Sequence, residues 1–327
     1  MSYSKPWLSV DDQLDLLQSR GLVLGDRKKA HSCLTRIGYY RLSGYWYAFR
    51  ERTELCCPLP KGVGKVKTEK LALDEFKDGA SFQNVVDLYI FDKKLRLLAM
   101  DALERIEIAL RVEISHTLGK MDTFAYLKPE CFHADFSQCI DTKTGVTKHH
   151  EWLGKHAQLI TRSREEFVKH NSAKGGLPLA IWVACEVWDF GTLSKLFGGM
   201  RVEEQDLIAK KFDVLNGRIF ATWLRSLNHL RNVCAHHCRL WNRNILEQPK
   251  LPHVNDLAWV KDFEVDNHAR ARCYLLLVIC VHLLGIINPS STWKRRMREH
   301  LLTFPDLDHI GLNLLGMGVT KGLDAFQ

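Results

Sequence analysis

Residues 81–119, SFQNVVDLYIFDKKLRLLAMDALERIEIALRVEISHTLG, carry the clearest secondary-structure signal in the chain. Their apolar positions recur at steps of three and four from Val85 to Ile114, as on the buried face of an amphipathic α-helix. Gly119 follows as a typical helix stop. Unbroken, the helix would be roughly 55 Å long at a rise of about 1.5 Å per residue. This stretch therefore predicts one long amphipathic helix.

Shorter helical patterns lie on both sides of this segment. Ser9 and Gly21 delimit the first of them as an N-cap and a glycine stop. The chain shows no alternation of strands and helices and no internal repeat, so the predicted fold class is all-α. The shorter predicted helices cover residues 9–20, 26–37, 149–170, 175–188, 191–198, 202–212, 216–234, 267–287 and 291–302.

Residues 51–80 interrupt the helical periodicity and form the predicted boundary between two domains. Two prolines and three glycines lie between residues 58 and 79, a composition typical of a loop or a small hairpin. We therefore predict an N-terminal helical lobe at 1–80, with many aromatic and basic residues, and a helical domain at 81–327.

The composition is that of an ordinary globular protein with a basic surface. Hydrophobic residues make up 46% of the 327 residues and charged residues 26%, which excludes disorder as the main state. The 46 Lys and Arg outnumber the 38 Asp and Glu, giving a net charge of +8. Such an excess suggests a polyanionic partner, either a nucleic acid or an acidic membrane surface.

The longest apolar run argues against a membrane span. Residues 273–287 contain His282 and Gly285 and fall short of the roughly 20 residues that a spanning helix needs. The first twelve residues lack the apolar core of a signal peptide. The ten cysteines are scattered, which favours reduced thiols and a cytoplasmic protein.

The motif with the most chemical content is Arg231-Asn232 followed by His236, at the end of an apolar helical pattern. RNA can be cut without a metal when its own 2′-OH attacks the adjacent phosphate, provided that protons are transferred and the extra negative charge is stabilised. Histidine and arginine supply these functions near neutral pH, and Asn232 can orient the imidazole or hold a phosphate oxygen. The alternative is a structural polar network at a helix junction.

The spacing sets a geometric condition on this motif. Residues five apart, such as Arg231 and His236, differ by about 140° around a straight helix, so they share a site only where the helix ends or distorts. Arg111 and His116 repeat the R-x4-H spacing near the end of the long helix. The two motifs could pair within one chain, or each with itself in a dimer.

Alternatives to catalysis stay open at both motifs. Arg111 lies four residues after Glu107, so the two could form a surface ion pair, with His116 capping the helix. Glu104 and Glu107 could also hold catalytic arginines in place. His237 satisfies a looser form of the spacing, so the sequence does not decide which imidazole acts.

Several separated segments resemble one known family. Lys5-Pro6-Trp7-Leu8, the segments 37–45 and 96–107, and the Arg231 motif are similar to those of the Abi-like abortive-infection proteins of the AbiD/AbiF type, within the HEPN ribonuclease superfamily. The resemblance implies an HEPN-like helical bundle with an N-terminal lobe. It also implies a composite site in which two Arg/His motifs face each other across an interface.

The functional expectation that follows is a metal-independent endoribonuclease in bacterial anti-phage defence. The resemblance implies a toxin-like protein, restrained by a partner such as a small structured RNA, and a homodimer is possible. One alternative is a non-catalytic RNA-binding HEPN module that holds a small RNA. Another is a toxin silenced by a protein partner.

The aromatic and basic segment 36–52 predicts a second RNA contact. Unpaired bases stack on aromatic rings while arginines hold the backbone. The alternative is that most of the rings are core and the arginines are exposed. The residues predicted to bind RNA, including two near the Arg231 motif, are Arg36, Tyr40, Arg41, Tyr45, Arg50, Arg225 and Arg239.

Neither a metal nor another cofactor is expected. Cys234 and Cys238 bracket two histidines, which invites a zinc interpretation. Zinc sites normally need two ligand pairs at defined spacing, and the sequence holds no second cysteine pair of that kind.

Overall fold

The computed structural model describes residues 6–57 and 67–326, which are mainly helical. The predicted all-α class is confirmed, with one two-stranded antiparallel hairpin, β1 (Arg50–Cys57) and β2 (Lys67–Phe76). The helices are α1 (Val10–Ser19), α2 (Arg27–Ile37), α3 (Tyr39–Trp46), α4 (Phe82–Met121), α5 (Ala134–Ser137), α6 (Lys148–Arg162), α7 (Glu166–Gly175), α8 (Ile181–Ala184), α9 (Phe190–Gly199), α10 (Val202–Lys211), α11 (Gly217–Ala235), α12 (Asn267–Arg270), α13 (Cys273–Ile287) and α14 (Trp293–Leu301).

Capping side chains fix where the first helices begin. Ser9 and Asp12 form a reciprocal capping box at the start of α1. Asp26 caps α2 by accepting hydrogen bonds from two backbone amides of the first turn, and Gly38 follows its last residue. The hairpin confirms one of the two structures predicted for 51–80; residues 58–66 lie outside the described residues.

Helix α4 is the long helix that the apolar repeat predicts. It has 40 residues and buries Val85, Leu95, Ile106 and Leu118 on one side. Gly119 does not stop it, because the helix continues to Met121. The continuation matters for the site, because it keeps the backbone regular beyond Arg111.

Three of the predicted helices are interrupted. Residues 149–170 form α6 and α7, with Ser163 extended between them. Only α8 and a short 3₁₀ turn occur within 175–188, because Gly176 has a positive φ and Pro178 lacks the amide that a helix needs. The predicted helix at 267–287 is α12 and α13, separated by two residues.

The chain divides into two compact units at other places than the predicted boundary after residue 80. The first unit comprises residues 1–95 and 299–316, and the second comprises 96–298 and 317–327. In the first unit, the ring of His300 hydrogen-bonds the carbonyl of Phe91. Two segments that are far apart in the sequence thus belong to one compact unit. A local composition change cannot locate a boundary that falls inside a continuous helix.

The second unit is built around α11 and α13. Helix α13 is buried along most of its length, as predicted for the apolar run, and α11 packs against it and against α9 and α10. No helix in the described part of the chain combines the length and the apolar character needed to cross a membrane. The packing of α11 fixes which of its faces remains open to solvent.

Candidate functional site

Helix α11 presents the Arg231 motif at its C-terminal end. Asn216 caps its first turn, and the buried face includes Phe220, Leu227 and Leu230. The last helical residue is Ala235, and the backbone then turns, with a positive φ of 55° at His237. The regular helix therefore ends just before His236, but the His236 amide still donates to the Asn232 carbonyl, so the backbone leaves helical geometry only at His237.

The second motif, Arg111 and His116, lies within a helix that continues past it. Because α4 continues regularly to Met121, Arg111 and His116 lie about 140° apart around its axis. Arg111 is only 14% exposed in its side chain, whereas His116 is exposed. The structure does not bring this arginine and this histidine to one face, because the helix neither ends nor distorts between them.

Arg111 is held by two elements. Its guanidinium donates to the Glu107 carboxylate at 3.0 Å, which is the ion pair that the sequence offered as an alternative to catalysis. It also donates to the Trp188 carbonyl at 3.1 Å and pairs with Glu186 at 3.4 Å. These contacts orient the fork of donors and leave it facing a cavity.

Arg111 and Arg231 line the same cavity of about 550 Å³, which we call the arginine cavity. The two motifs, separated by about a third of the chain in sequence, thus contribute arginines to one place within one chain. Neither His116 nor His236 is among the residues that line it. The lining residues are Met100, Asp101, Leu103, Glu104, Glu107, Ile108, Arg111 and Arg231.

Glu107 lies in the electrostatic field of both arginines. Burial raises the pKa of its carboxyl above the usual range, and the positive charges of Arg111 and Arg231 partly oppose that shift. The sequence named Glu107 as a residue that could hold an arginine, and its hydrogen bond to Arg111 has that geometry. Asn232 is exposed beside Arg231, whose guanidinium approaches its side-chain oxygen at 3.4 Å.

A second cavity of about 740 Å³ adjoins the same motif and was not predicted. We call it the lysine cavity. Faces of α6, α9 and α11 line it, and Arg231 belongs to both cavities. Its lining residues are His133, Phe136, Lys148, Glu151, Trp152, Lys155, Asp189, Gly191, Thr192, Ser194, Lys195, Gly198, Ala221, Arg225, Asn228, Arg231 and Asn232.

The sequence contains a feature that could have indicated the lysine cavity: polar residues that recur at the spacing of one helix face. Lys148 and Lys155 are seven residues apart on α6, and Arg225, Asn228 and Asn232 step by three and four on α11. Such steps place side chains on one face of a helix. What the sequence did not reveal is that these faces meet.

The N-terminal residues predicted to bind RNA fall into two groups. Arg36, Tyr40 and Arg41 are exposed on α2 and α3, and the Tyr40 ring is 91% exposed. Tyr45 is buried, and its hydroxyl donates to the buried Asp92 carboxylate at 2.7 Å. A ring in that position has no face for a base, so the structure favours the core alternative for Tyr45.

The remaining predicted arginines differ in how they are held. Arg50 forms an ion pair with Asp74 across the hairpin and lies over the Phe76 ring, so its charge is already paired within the hairpin. Arg225 is exposed and lines the lysine cavity. Arg239 is half-buried after the end of α11.

The cysteines around the two histidines do not form part of a metal cluster. Cys234 is buried on α11 and Cys238 is half-buried beyond it. Across residues 6–57 and 67–326, no three His, Cys, Asp or Glu side chains group closely enough to hold a metal ion.

Comparison with known families agrees with the resemblance seen in the sequence. The model of the Abi-like protein family matches residues 32–242, about two thirds of the chain, and the chain belongs to this family. Membership suggests a role in abortive infection defence. Both arginine motifs and all the residues that line the lysine cavity lie within the matched residues. No curated protein and no solved structure matches the chain.

Proposed function

We propose that this chain is a metal-independent endoribonuclease of the HEPN type that acts in abortive infection. The observation that carries the proposal is the convergence of Arg111 and Arg231 on the arginine cavity, with His236 at the adjacent helix end. Arg231 offers charged donors to a phosphodiester in this cavity, and Arg111, whose donors are shared with Glu107, Glu186 and the Trp188 carbonyl, adds positive charge beside it.

The proposed reaction uses the substrate's own hydroxyl. The 2′-oxygen attacks phosphorus, the bond from phosphorus to the 5′-oxygen breaks, and the products end in a 2′,3′-cyclic phosphate and a 5′-hydroxyl. His236 exchanges a proton with one of these two oxygens and solvent water serves the other. His236 is exposed at the C-terminal cap of α11, so its imidazole is accessible to a bound strand.

The arginines stabilise the negative charge that develops on the phosphate oxygens. Arg231 and Arg111 carry this role, and Asn232 adds a neutral donor at the exposed edge. Glu107 acts as a positioning residue because it binds Arg111 directly. The proposal thus gives a role to Arg111, Arg231, Asn232 and His236, but not to His116, which α4 holds away from Arg111.

The test is cleavage of a labelled single-stranded RNA by the purified full chain in EDTA. We expect products with 2′,3′-cyclic phosphate ends, and we expect Arg231→Ala to slow their formation by about 10²–10³-fold while circular dichroism shows an unchanged fold. Arg218→Ala is the matched control, because Arg218 is exposed on the same helix and lines neither cavity. Products with 3′-hydroxyl ends, or a requirement for metal, would overturn the mechanism.

A second candidate function is a non-catalytic HEPN module that holds a small structured RNA. It is favoured by one observation: cations line both cavities, whereas His116 and His236 line neither. Tight RNA binding by a chain that cuts no RNA would support it. A toxin-like enzyme restrained by such an RNA is the other possibility, and sequencing of RNA that co-purifies with the chain identifies the partner in both cases.

A homodimer belongs to the same proposal. It would let an exposed histidine of one copy serve the arginine cavity of the other copy, as in a composite site. Light scattering of the purified chain measures the mass directly. Mixing Arg231→Ala with His236→Ala chains then tests complementation, which is expected only if the site is shared between copies.

A further inference from the structure

We propose that the lysine cavity binds an unpaired nucleotide of the RNA, next to the phosphodiester held at Arg231. This inference rests on the proposed function and names the substrate class that the site accepts. It concerns the helix faces of α6, α9 and α11, most of whose polar residues the catalytic proposal does not use.

The charge of the cavity favours a phosphate-bearing ligand. Five cationic side chains line it against two carboxylates, those of Glu151 and Asp189. None of its lysines, nor Arg225, forms an ion pair with an acidic residue in the part of the chain that the structure describes. The cations are therefore available to an anion from solution.

Asp189 has a structural role, and its carboxylate offsets only part of the positive charge of Lys155 and Arg231. Its carboxylate caps α9 by accepting hydrogen bonds from the backbone amide and hydroxyl of Thr192. Burial opposes its ionisation, but those hydrogen bonds and the charges of Lys155 and Arg231 prevail and lower its pKa. It stays ionised as a structural cap at the base of the cavity.

Neutral polar groups suit the sugar and base of a nucleotide. Asn228 and Asn232 each offer a donor and an acceptor toward the cavity lining. Asn228 lies close to Gly191, where an added Cβ would be 3.3 Å from its side-chain oxygen. The absence of a side chain at Gly191 thus leaves room for this amide. Phe136 and Trp152 add apolar surface.

The position of Arg231 links the cavity to the reaction. Because Arg231 lines both cavities, a strand whose phosphate it holds has a neighbouring nucleotide beside the lysine cavity. The volume of about 740 Å³ falls in the range of roughly 300–1,000 Å³ that small-ligand sites occupy. Side chains of α5, α6, α9 and α11 line this space, and we expect it to admit a single unpaired nucleotide in preference to a base-paired one.

Binding of an uncleavable RNA tests the proposal separately from catalysis. The probe is a fluorescein-labelled 2′-O-methyl RNA octamer of unstructured sequence, followed by anisotropy over a series of KCl concentrations. For Arg225→Gln and Lys195→Gln we expect severalfold weaker binding. We also expect a salt dependence whose slope is smaller by about 0.7 for each phosphate that the variant no longer neutralises.

Two control variants match these substitutions. Arg218→Gln removes a cation from the same helix as Arg225, and Lys210→Gln removes an exposed lysine from α10. Neither residue lines the arginine cavity or the lysine cavity, so both variants are expected to bind like the wild type. Equal slopes for the cavity variants and their controls would overturn the proposal. Thermal melting confirms that each variant folds.

Competition separates the possible sources of the ligand. An unlabelled single-stranded octamer is expected to displace the probe, whereas a blunt RNA duplex is expected to compete much more weakly. Adenosine monophosphate is expected to compete only at far higher concentration than the octamer. Competition by the mononucleotide as strong as by the octamer would instead indicate a site for a free nucleotide and would overturn the RNA assignment.

The two proposals fail in distinguishable ways. If wild-type chain never cleaves RNA but Arg225→Gln and Lys195→Gln still weaken octamer binding, the cavity assignment stands and the nuclease proposal fails. If the chain cleaves RNA and these variants bind and cleave like the wild type, the nuclease proposal stands and the cavity assignment fails.

Discussion

The two R-x4-H motifs share a spacing and differ in their structural setting. Arg231 lies five residues before His236, and Arg111 lies five residues before His116. Helix α11 ends at Ala235, between the members of its motif, whereas α4 continues past its motif to Met121. His236 therefore lies at the cap of its helix, directly before the backbone turns at His237, whereas His116 is fixed within a regular helix.

The difference teaches that the end of the helix, and not the spacing, makes this motif a candidate site. Both arginines nevertheless reach the arginine cavity, because side chains from packed helices converge wherever their faces meet. The two histidines differ because His236 lies at the end of its helix and His116 lies within its helix. A motif search alone would rank the two equally.

The strongest test of this comparison removes each histidine. We expect His236→Ala to slow RNA cleavage by about 10²–10⁴-fold, the usual contribution of a general acid or base, because its imidazole is exposed at the end of α11. His116→Ala should leave the rate within twofold of the wild type. Single-turnover cleavage in EDTA measures both, and a large loss on removing His116 would break the distinction.

Removing each arginine comes next in size. Arg231→Ala should lower the cleavage rate by about 10²–10³-fold, as expected when a transition-state donor is removed, with little change in stability. Arg111→Ala should lower the rate less and also destabilise the fold by about 1–3 kcal/mol, because it leaves the partly buried Glu107 without its partner.

Urea unfolding beside the cleavage assay separates these two effects for the arginines. Arg111→Lys keeps a charge near Glu107 and should recover most of the stability, but not the full rate, because lysine lacks the planar fork. Equal losses of stability in Arg231→Ala and Arg111→Ala would contradict the different roles assigned to them.

Acid pH is expected to destabilise the packing around Trp188, which contacts both Arg111 and His156. The Trp188 carbonyl accepts from Arg111, and the Trp188 indole donates to His156 at 2.9 Å. Burial lowers the pKa of His156 to about 4. As pH falls, the unfolded chain therefore takes up a proton at His156 before the folded chain does. The contribution of the neutral His156 imidazole to the free energy of unfolding is complete above about pH 6.5 and is lost as pH falls toward 4.

The expected size of this effect is about 2 kcal/mol in the free energy of unfolding between pH 7 and pH 5. His156→Gln, which keeps an acceptor for the indole, should reduce the pH dependence by that amount. Urea unfolding followed by tryptophan fluorescence at both pH values measures it. An unchanged pH dependence in the variant would exclude His156 as its source.

The smallest expected effect sharpens the description of the helix end itself. His237 has a φ of 55°, a left-handed conformation that costs an ordinary residue about 1–2 kcal/mol and glycine almost nothing. We expect His237→Gly to raise the free energy of unfolding by about 1 kcal/mol and to keep the cleavage rate. Loss of cleavage would identify His237 as the acting imidazole in place of His236.

Local signals predicted the helices well where caps and apolar repeats coincide. Asp26 marks the start of α2, and the apolar repeat marks α4. The prediction of one helix over 175–188 was wrong because it followed the apolar pattern and gave too little weight to Gly176 and Pro178, which do not allow a helix there. Helix-stop signals also misled at Gly119, where tertiary packing carries the helix onward.

The candidate site was predictable in part for the same reason. Arg231, Arg111 and Glu107 carry recognisable spacing and charge, and the structure places all three at one cavity. Lys155 and Lys195 belong to helices with no motif, so only the meeting of their faces gives them a role. Tyr45 shows the converse, because its aromatic character does not reveal whether the ring is buried.

The sequence by itself determined the helical class and the residues able to bind phosphate and move protons, because these follow from periodicity and side-chain chemistry, and the resemblance of its motifs indicated the family. Only the tertiary structure decided that Arg111 and Arg231 share a cavity and that a second cavity begins at Arg231. Those facts depend on how α4, α6, α9 and α11 lie in the second unit. Contacts between residues far apart in the chain arise from packing of whole helix faces, which no local pattern specifies.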